Sequence, residues 1–285
     1  MESRPLYIVT GASGGMGQVL TTELLRRGYR TVMACRDLKK SEPIRQRILQ
    51  RCSVCELELL PLDLASLDSI RQFAERLKQQ NETIGVLINN AGSMNGSFRL
   101  SQDGYEMTTA VNYIGTAALT LSLLPLMHSG SRIINTLSCT YRIGKIGPGW
   151  TEIDREHFAR FKCYGNSKLA LLLFSLELER TLRSRGIEVF AADPGVVDTG
   201  MITMHRWFDP ITDLLFRPLI KSPEKGAATA LKLATEKALP NDTSNLYWMG
   251  EKPKKISDHV LSHPYRTEIG KELLRLTGLQ MPAEQ

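Results

Sequence analysis

The sequence predicts an α/β protein built on a doubly wound parallel sheet, and three observations lead to this prediction. Short runs of β-branched and aliphatic residues alternate with longer amphipathic stretches along the whole chain. A glycine-rich turn follows the first of these runs and precedes an amphipathic stretch. No repeat, low-complexity tract or Pro/Gly-rich linker divides the 285 residues. Strands that alternate with helices pair in parallel through right-handed crossovers, which places helices on both faces of one sheet.

The individual elements follow from the spacing of apolar residues. About seven strands are expected, in chain order Leu6–Val9, Thr31–Ala34, Leu57–Leu60, Val86–Ile88, Arg132–Asn135, Glu188–Ala192 and Leu246–Trp248. Helical spacing predicts helices between them, among which the clearest are Ser66–Gln79, Ala110–Leu124 and Tyr164–Ser184. We therefore predict a single domain over residues 1–285.

Composition and charge exclude several classes of protein. Hydrophobic content of 42% and charged content of 23% are ordinary for a soluble globular protein. The net charge of +6 is spread along the chain and does not call for nucleic acid. The longest apolar stretch, Leu169–Phe174, is too short to span a membrane, and the start leaves no room for a signal peptide.

The cysteines and histidines predict neither a disulfide framework nor a metal site. Five cysteines are an odd number, and we interpret Cys52 and Cys55 as free thiols. The five histidines lack metal-ligand spacing. A cytoplasmic location is expected from these features.

A glycine-rich turn after the first strand is the first candidate binding element. Glycines let the backbone approach a pyrophosphate, whose charge the following helix N-terminus stabilises. The spacing Gly-x-x-x-Gly-x-Gly departs from the common Gly-x-Gly-x-x-Gly fingerprint. The residues expected to face a dinucleotide are Gly11, Ser13, Gly14, Gly15, Met16 and Gly17. At the end of the fourth strand, where open α/β sheets bind ligands, we expect the same role for Asn90, Ala91 and Gly92.

The end of the second strand bears on the choice of cofactor. Arg36 is placed to accept a 2′-phosphate, so NADP(H) is favoured over NAD(H). Asp37 follows directly, and a shift of one residue would exchange the two roles. Alternatively, Arg36 is a solvated charge and Asp37 caps the next helix. Asp63, followed by Leu64, is placed to accept a hydrogen bond from the adenine amino group, or else belongs to a helix N-terminus.

Tyr164 and Lys168 lie four residues apart, so a phenol and an ammonium share one face of a helix. Hydride addition to a carbonyl leaves negative charge on oxygen, which then needs a proton. A phenol titrates near ~10 and needs a positive neighbour to act as an acid near neutral pH. Ser138, at the end of a strand, can donate to the same oxygen.

These motifs together resemble the short-chain dehydrogenase/reductase family, and within it most the retinol dehydrogenase and protochlorophyllide reductase branch. The match runs from Leu6 to about Thr199 and includes Asp193-Pro194-Gly195. The resemblance implies a Rossmann fold, with a cofactor half over about 1–135 and a catalytic and substrate half over about 136–285.

The resemblance also implies roles for individual residues. Tyr164 is expected to be the proton donor, with Lys168 lowering its pKa and holding the nicotinamide ribose. Ser138 would polarise the carbonyl, and Asn112 would support a water relay to Lys168. The loop that contacts the nicotinamide is implied to include Pro194, Gly195, Val197 and Thr199.

Two segments are candidates for the substrate site. Tyr141–Cys163 is expected to be an insertion with a short helix near the mouth of the site. Residues 201–216 are apolar and aromatic, and we favour a lid over the substrate. A core helix and a membrane-facing patch stay open for that segment.

The sequence is thus interpreted as an NADPH-preferring oxidoreductase of an apolar aldehyde or ketone, or of the corresponding alcohol. A reductase of a conjugated carbon–carbon double bond is the alternative within the fold. A non-catalytic NADP(H)-sensing binding protein is the alternative from another class. A small apolar substrate is the expected partner, a homo-oligomer stays open, and peripheral membrane contact is disfavoured.

Overall fold

The computed structural model describes residues 4–52, 56–197, 221–239 and 245–283. The strands in chain order are β1 Leu6–Thr10, β2 Thr31–Cys35, β3 Leu57–Pro61, β4 Ile84–Asn89, β5 Met127–Thr136, β6 Glu188–Asp193, β7 Tyr247–Met249 and β8 Lys252–Pro253. They form one sheet in the order β3-β2-β1-β4-β5-β6-β7-β8. Each neighbouring pair is parallel except β7 and β8. The predicted doubly wound sheet is confirmed, and the sequence missed only the short final strand of the eight described.

Helices cover both faces of this sheet. Their bounds are α1 Gly15–Arg26, α2 Leu38–Leu49, α3 Leu67–Gln79, α4 Met107–Leu126, α5 Arg160–Leu182, α6 Pro223–Thr235, α7 Asp258–Leu261 and α8 Ile269–Thr277. One apolar cluster lies between the sheet and the α3, α4 and α5 side, and a second lies on the α1 and α6 side. Because β1 is flanked by β2 and β4, the strand order reverses there, and a cleft opens at the carboxyl ends of these strands.

The α4 helix is irregular where it passes the end of β3. Its residues Ala110–Gly115 form a π-helical segment, a feature often found at functional sites. A Cβ on Gly115 would overlap the carbonyl oxygen of Leu64, so a side chain there would push the helix off the sheet. The helix is long and apolar enough to span a membrane, but 78% of its apolar stretch is buried in the fold, as expected of a core helix.

The C-terminal helix α8 is joined to the rest of the fold by a buried carboxylate. Glu272 is 5% exposed, and burial raises its pKa. Its Oε2 accepts a hydrogen bond from Trp150 Nε1 at 2.9 Å, and its Oε1 accepts one from the Tyr265 hydroxyl at 2.8 Å. The Trp150 ring lies 5.4 Å from the ring of Tyr113 in α4. Trp150, in the segment before α5, therefore contacts both α8 and α4.

Two expectations from the sequence need correction. Cys52 is disulfide-bonded rather than a free thiol, whereas Cys35, Cys139 and Cys163 are free. The helix expected inside the Tyr141–Cys163 insertion is instead a 3-10 turn, Cys139–Ile143, that begins before it. Ser138 caps this turn by accepting a hydrogen bond from the Thr140 amide, so the chain bends at the end of the strand.

Candidate active site

Two adjoining cavities occupy the cleft at the carboxyl ends of the strands. A polar cleft of about 410 Å³ extends from the glycine turn past β2 and β3 to the end of β4. A more apolar cavity of about 220 Å³ lies beside β5, α5 and β6. They share Met16, Asn90 and Gly92, so the two form one continuous site. Of the predicted residues, the polar cleft is lined by Gly11, Ser13, Gly14, Gly15, Met16, Gly17, Arg36, Asp63, Leu64, Asn90, Ala91 and Gly92.

The glycine turn has the geometry of a phosphate cradle. Gly11 has φ +60°, and a Cβ there would lie 2.9 Å from the Cα of Ala91. A Cβ on Gly17 would overlap the carbonyl oxygen of Gly11. The turn can therefore close only with glycine at both positions, and it opens directly onto the N-terminus of α1.

The end of β4 braces this turn. Asn90 Nδ2 donates to the carbonyl oxygen of Thr10 at 2.9 Å, and the Ala91 amide donates to Thr10 Oγ1 at 3.0 Å. The buried Asn90 Oδ1 has no hydrogen-bond partner within the described part of the chain. Because buried acceptors are normally satisfied, this oxygen suits a hydroxyl or amide of a bound ligand. Together with the glycine cradle, it fits a dinucleotide.

Arg36 and Asp37 are adjacent, but their side chains have different surroundings. Asp37 caps α2, since its Oδ1 accepts a hydrogen bond from the Lys40 amide at 3.1 Å, and that bond lowers its pKa. Arg36 is exposed at the cleft. It forms no hydrogen bond or ion pair with any residue that the structure describes. The guanidinium is therefore available to an anionic ligand, and the adjacent carboxylate is already engaged.

Asp63 lies in the polar cleft as predicted, but its carboxylate is partly used locally. Its Oδ1 accepts a hydrogen bond from the Ala65 amide at 2.9 Å. The cap of α3 is Ser66, whose hydroxyl accepts from the Ser69 amide. Ser66 is thus the N-cap itself, while the Asp63 amide donates to the Ser69 hydroxyl at 3.0 Å, so Asp63 adjoins the helix N-terminus and also lines the cleft.

Tyr164, Lys168 and Ser138 meet in the apolar cavity. Lys168 is 3% exposed, and its Nζ lies 5.7 Å from the centre of the Tyr164 ring. Nζ donates a hydrogen bond to the Thr136 carbonyl oxygen at 2.8 Å. Burial lowers the pKa of Lys168 to about 8, against a smaller upward effect of Asp193. The site thus holds an ammonium that releases its proton more readily than an ordinary lysine does.

The pKa of the Tyr164 hydroxyl is shifted upward, unlike that of Lys168. Burial raises the pKa of Tyr164, and a hydrogen bond with Ser138 partly offsets this. The direction is opposite to the one expected from Lys168, because burial of the phenol is the largest effect on its pKa. A protonated phenol beside a serine hydroxyl is a pair of donors that a carbonyl oxygen can accept from.

Asn112 lies in the π-helical segment of α4, behind the cavity wall. Its Oδ1 accepts from the Ser93 amide at 2.7 Å, and its Nδ2 donates to the Ser93 carbonyl at 2.9 Å and to Ser167 Oγ at 3.1 Å. Gly92 lies between the two groups, since a Cβ there would be 3.5 Å from Asn112 Oδ1 and 3.9 Å from Lys168 Nζ. The structure places Asn112 near Lys168, and the relay stays a prediction.

The loop after β6 forms the far wall of the cavity. Pro194, Gly195 and Val197 line it, whereas Thr199 and residues 201–216 lie outside the described residues. Asp193 is fully buried; its Oδ1 accepts from the Gly195 amide and its Oδ2 from the Tyr247 hydroxyl, both at 2.8 Å. The sequence interpretation used Asp193 only as part of a motif and missed its charge beside Lys168.

Other lining residues were also missed. The apolar cavity includes Met94, Leu137 and Cys139, and the polar cleft includes Lys40, none of which carries a local signal in the sequence. Phe161 and Val196 also line the apolar cavity, and both lie in segments that were predicted to be near the site. Among the described residues, no group of three or more His, Cys, Asp or Glu could hold a metal ion.

A family model described as short chain dehydrogenase matches residues 6–207. The chain belongs to the short-chain dehydrogenase family. Human retinol dehydrogenase 13 is 35% identical, with 97% of this chain and 85% of that protein covered. Retinol dehydrogenase 12 of Mus musculus is 36% identical, with 96% and 87% covered. The chain is thus an NAD(P)-dependent oxidoreductase of the retinol dehydrogenase branch.

Solved structures show the same fold. An uncharacterized protein from Mycobacterium paratuberculosis has a TM-score of 0.78 at 28% identity, with 99% of this chain and 96% of that chain covered. A short chain dehydrogenase from Burkholderia cenocepacia in complex with NADP has a TM-score of 0.68 at 21% identity, with 87% and 96% covered. At that identity the second likeness bears on the fold alone.

Proposed function

We propose that this oxidoreductase prefers NADP(H) and transfers a hydride between the cofactor and an apolar aldehyde or ketone, with Tyr164 as the proton donor. The observation that carries the proposal is the paired Tyr164 and Ser138 hydroxyls in an apolar cavity that is continuous with the glycine-lined cleft. The cofactor, when bound, supplies the hydride.

The residues of the chain would bind the carbonyl oxygen, donate the proton and limit the access of water. The two hydroxyls donate hydrogen bonds to the carbonyl oxygen, and such donors stabilise developing negative charge by ~3 kcal/mol each. Tyr164 then gives up its proton, and the nearby Lys168 ammonium favours the phenolate that results. The apolar wall formed by Met94 and Leu137 limits the access of water to the reacting carbon.

The substrate class follows from the same wall. An apolar lining suits an aldehyde or ketone with a hydrocarbon chain or ring. The names of the two relatives point to retinol and hence to retinal, an apolar polyene aldehyde. We therefore propose retinal-like aldehydes as the first substrates to test.

The activity test is NADPH consumption against retinal, simpler apolar aldehydes and ketones, and conjugated enones. Turnover of the aldehydes with alcohol as product supports the proposal. Saturation of the double bond, with the carbonyl retained, would favour the alternative reductase. Tight NADPH binding without turnover of any compound would favour the non-catalytic sensor.

The cofactor preference rests on Arg36, whose guanidinium has no ion-pair partner among the described residues, while Asp37 caps a helix. Replacing Arg36 with glutamine should weaken NADPH binding about tenfold to a hundredfold, because a hydrogen bond to a charged group contributes ~1.5–3 kcal/mol. NADH binding should change by less than about threefold.

Arg47→Gln is the matched control, since Arg47 is exposed on α2 but does not line the cleft. It removes the same charge and should leave both affinities unchanged. Equal losses of NADPH and NADH affinity in Arg36→Gln would contradict the preference. The cytoplasmic location and the oligomeric state stay predictions.

A further inference from the structure

The backbone that forms the far wall of the apolar cavity is paired with a second segment of the chain. Val197 and Lys221 form an isolated parallel β-bridge. The Lys221 amide donates to the Val196 carbonyl at 2.8 Å, and its Nζ donates to the Pro194 carbonyl at 3.1 Å. One residue thus holds two carbonyls of the same cavity wall.

The Lys221 ammonium lies directly against the backbone of Gly195. Gly195 has φ +75°, and a Cβ at this position would be 2.9 Å from Lys221 Nζ. On the other side, the Gly195 amide donates to the buried Asp193 carboxylate at 2.8 Å. The loop is therefore fixed by two charged groups. The Asp193 carboxylate accepts a hydrogen bond from the Gly195 amide, and the Lys221 ammonium donates one to the Pro194 carbonyl.

The helix that follows Lys221 packs on the phosphate turn. A Cβ on Gly15 would lie 3.3 Å from Pro223 Cγ. A Cβ on Gly226 would lie 2.7 Å from Val197 and 2.9 Å from the Met16 sulfur. Lys221 thus lies where the cavity wall, the start of α6 and the glycine turn converge, and Met16 belongs to both cavities.

We propose that Lys221 is a positioning residue that fixes the Pro194–Val197 backbone where the cofactor cleft meets the substrate cavity. The inference rests on the proposed NADP(H) function. Lys221 would not touch the adenosine half of the cofactor, because it does not line the polar cleft that contains Arg36. Its effect is therefore confined to ligands that extend to the nicotinamide end.

Because the effect of Lys221 is confined to the nicotinamide end, the test compares a ligand that has a nicotinamide with one that lacks it. In Lys221→Met, the Kd for NADPH should rise about tenfold or more, because the Pro194–Val197 backbone is no longer fixed where it meets the nicotinamide end. The Kd for 2′,5′-ADP, which carries the adenosine and 2′-phosphate but no nicotinamide, should change by less than about twofold. Lys221→Arg should restore most of the NADPH affinity, since it keeps a cationic donor.

Lys225→Met is the matched control, because Lys225 is exposed in the first turn of α6, four residues after Lys221. It should leave both dissociation constants unchanged. Should Lys221→Met not fold, Lys221→Gln serves with the same expectations, and thermal unfolding checks that each variant is native.

The possible results distinguish a failure of the proposed NADP(H) function from a failure of the role proposed for Lys221. Wild-type protein that binds neither ligand would overturn the proposed function, and this inference with it. Normal wild-type binding with an unchanged Lys221→Met variant would overturn this inference alone. Equal losses for NADPH and 2′,5′-ADP would also overturn it, because they would indicate a general loss of structure or charge.

Discussion

Replacing Lys168 with methionine is expected to stabilise the protein while abolishing turnover. Burial lowers the pKa of Lys168 from the usual 10.5 to about 8, a fall of about 2.5. At about 1.36 kcal/mol per pKa unit, holding the charged form in the fold costs ~3 kcal/mol. The variant also loses the hydrogen bond to the Thr136 carbonyl, which from a charged donor contributes ~2 kcal/mol. Methionine fills similar space, so the net gain near pH 7 is ~1 kcal/mol.

The pH dependence distinguishes this cause from a packing effect. Below pH 8, Lys168 is protonated in both the folded and the unfolded protein, and the full cost is present. Between about 8 and 10.5 the unfolded chain binds a proton that the folded protein has released, so wild-type stability rises with pH. The methionine variant lacks this gain. Its advantage should therefore shrink and reverse as the pH rises.

The assay is urea unfolding of both proteins without cofactor, near pH 7 and near pH 9.5, together with NADPH turnover. Lys225→Met is the control, and its difference from wild type should not depend on pH. A Lys168→Met protein that is destabilised by more than ~1 kcal/mol near pH 7 would refute the reasoning. A difference from wild type that is the same at both pH values would refute it as well.

Three further predictions concern stability and turnover. Gly115→Ala should destabilise by ~3 kcal/mol or more, because its Cβ would overlap a backbone carbonyl, whereas Gly96→Ala, with open space around it, should cost less than ~0.5 kcal/mol in the same thermal scan. Glu272→Leu should destabilise by ~2–5 kcal/mol because it leaves two donors unpaired, and Glu272→Gln, which keeps an acceptor, should cost less by urea unfolding. Asn112→Ala should lower turnover about tenfold or more with a smaller effect on the Kd for NADPH, and equal effects on both would contradict a role near Lys168.

Local patterns in the sequence predicted the elements of the fold well. The strand ends differ by a few residues, most at β5, which starts at Met127 rather than Arg132. After the buried Met127, the next three residues of β5, His128, Ser129 and Gly130, are exposed, so no apolar run marks this part of the strand. The glycine turn was predictable because its conformation requires glycine. Only glycine allows the turn to approach the end of β4 so closely.

The site was predictable where chemistry is encoded locally and not where it depends on distant contacts. Tyr164 and Lys168 share a helix face and could be paired from spacing alone. The raised pKa of Tyr164 could not be foreseen, because it depends on how completely the fold buries the phenol. Asp193 and Lys221 likewise gain their significance from the loop that they hold together, which no sequence spacing reveals.

The ambiguity between Arg36 and Asp37 shows the same limit. Adjacent charges of opposite sign at a strand end predict opposite cofactor preferences, and the sequence alone cannot separate them. The hydrogen bond from the Lys40 amide to Asp37 assigns the carboxylate to the helix terminus, and the NADP(H) preference proposed for Arg36 builds on that contact.

The most direct test of the central claim is the fate of deuterium carried on the reduced nicotinamide ring of NADPH. With deuterium at both C4 positions of that ring, and with retinal or another apolar aldehyde as substrate, wild-type enzyme should transfer one deuterium to the alcohol carbon for each cofactor oxidised, measured by mass spectrometry. Tyr164→Phe should bind the cofactor normally and yield almost no labelled alcohol. Cofactor oxidation without label in the product, or undiminished transfer by Tyr164→Phe, would contradict the assignment of the site.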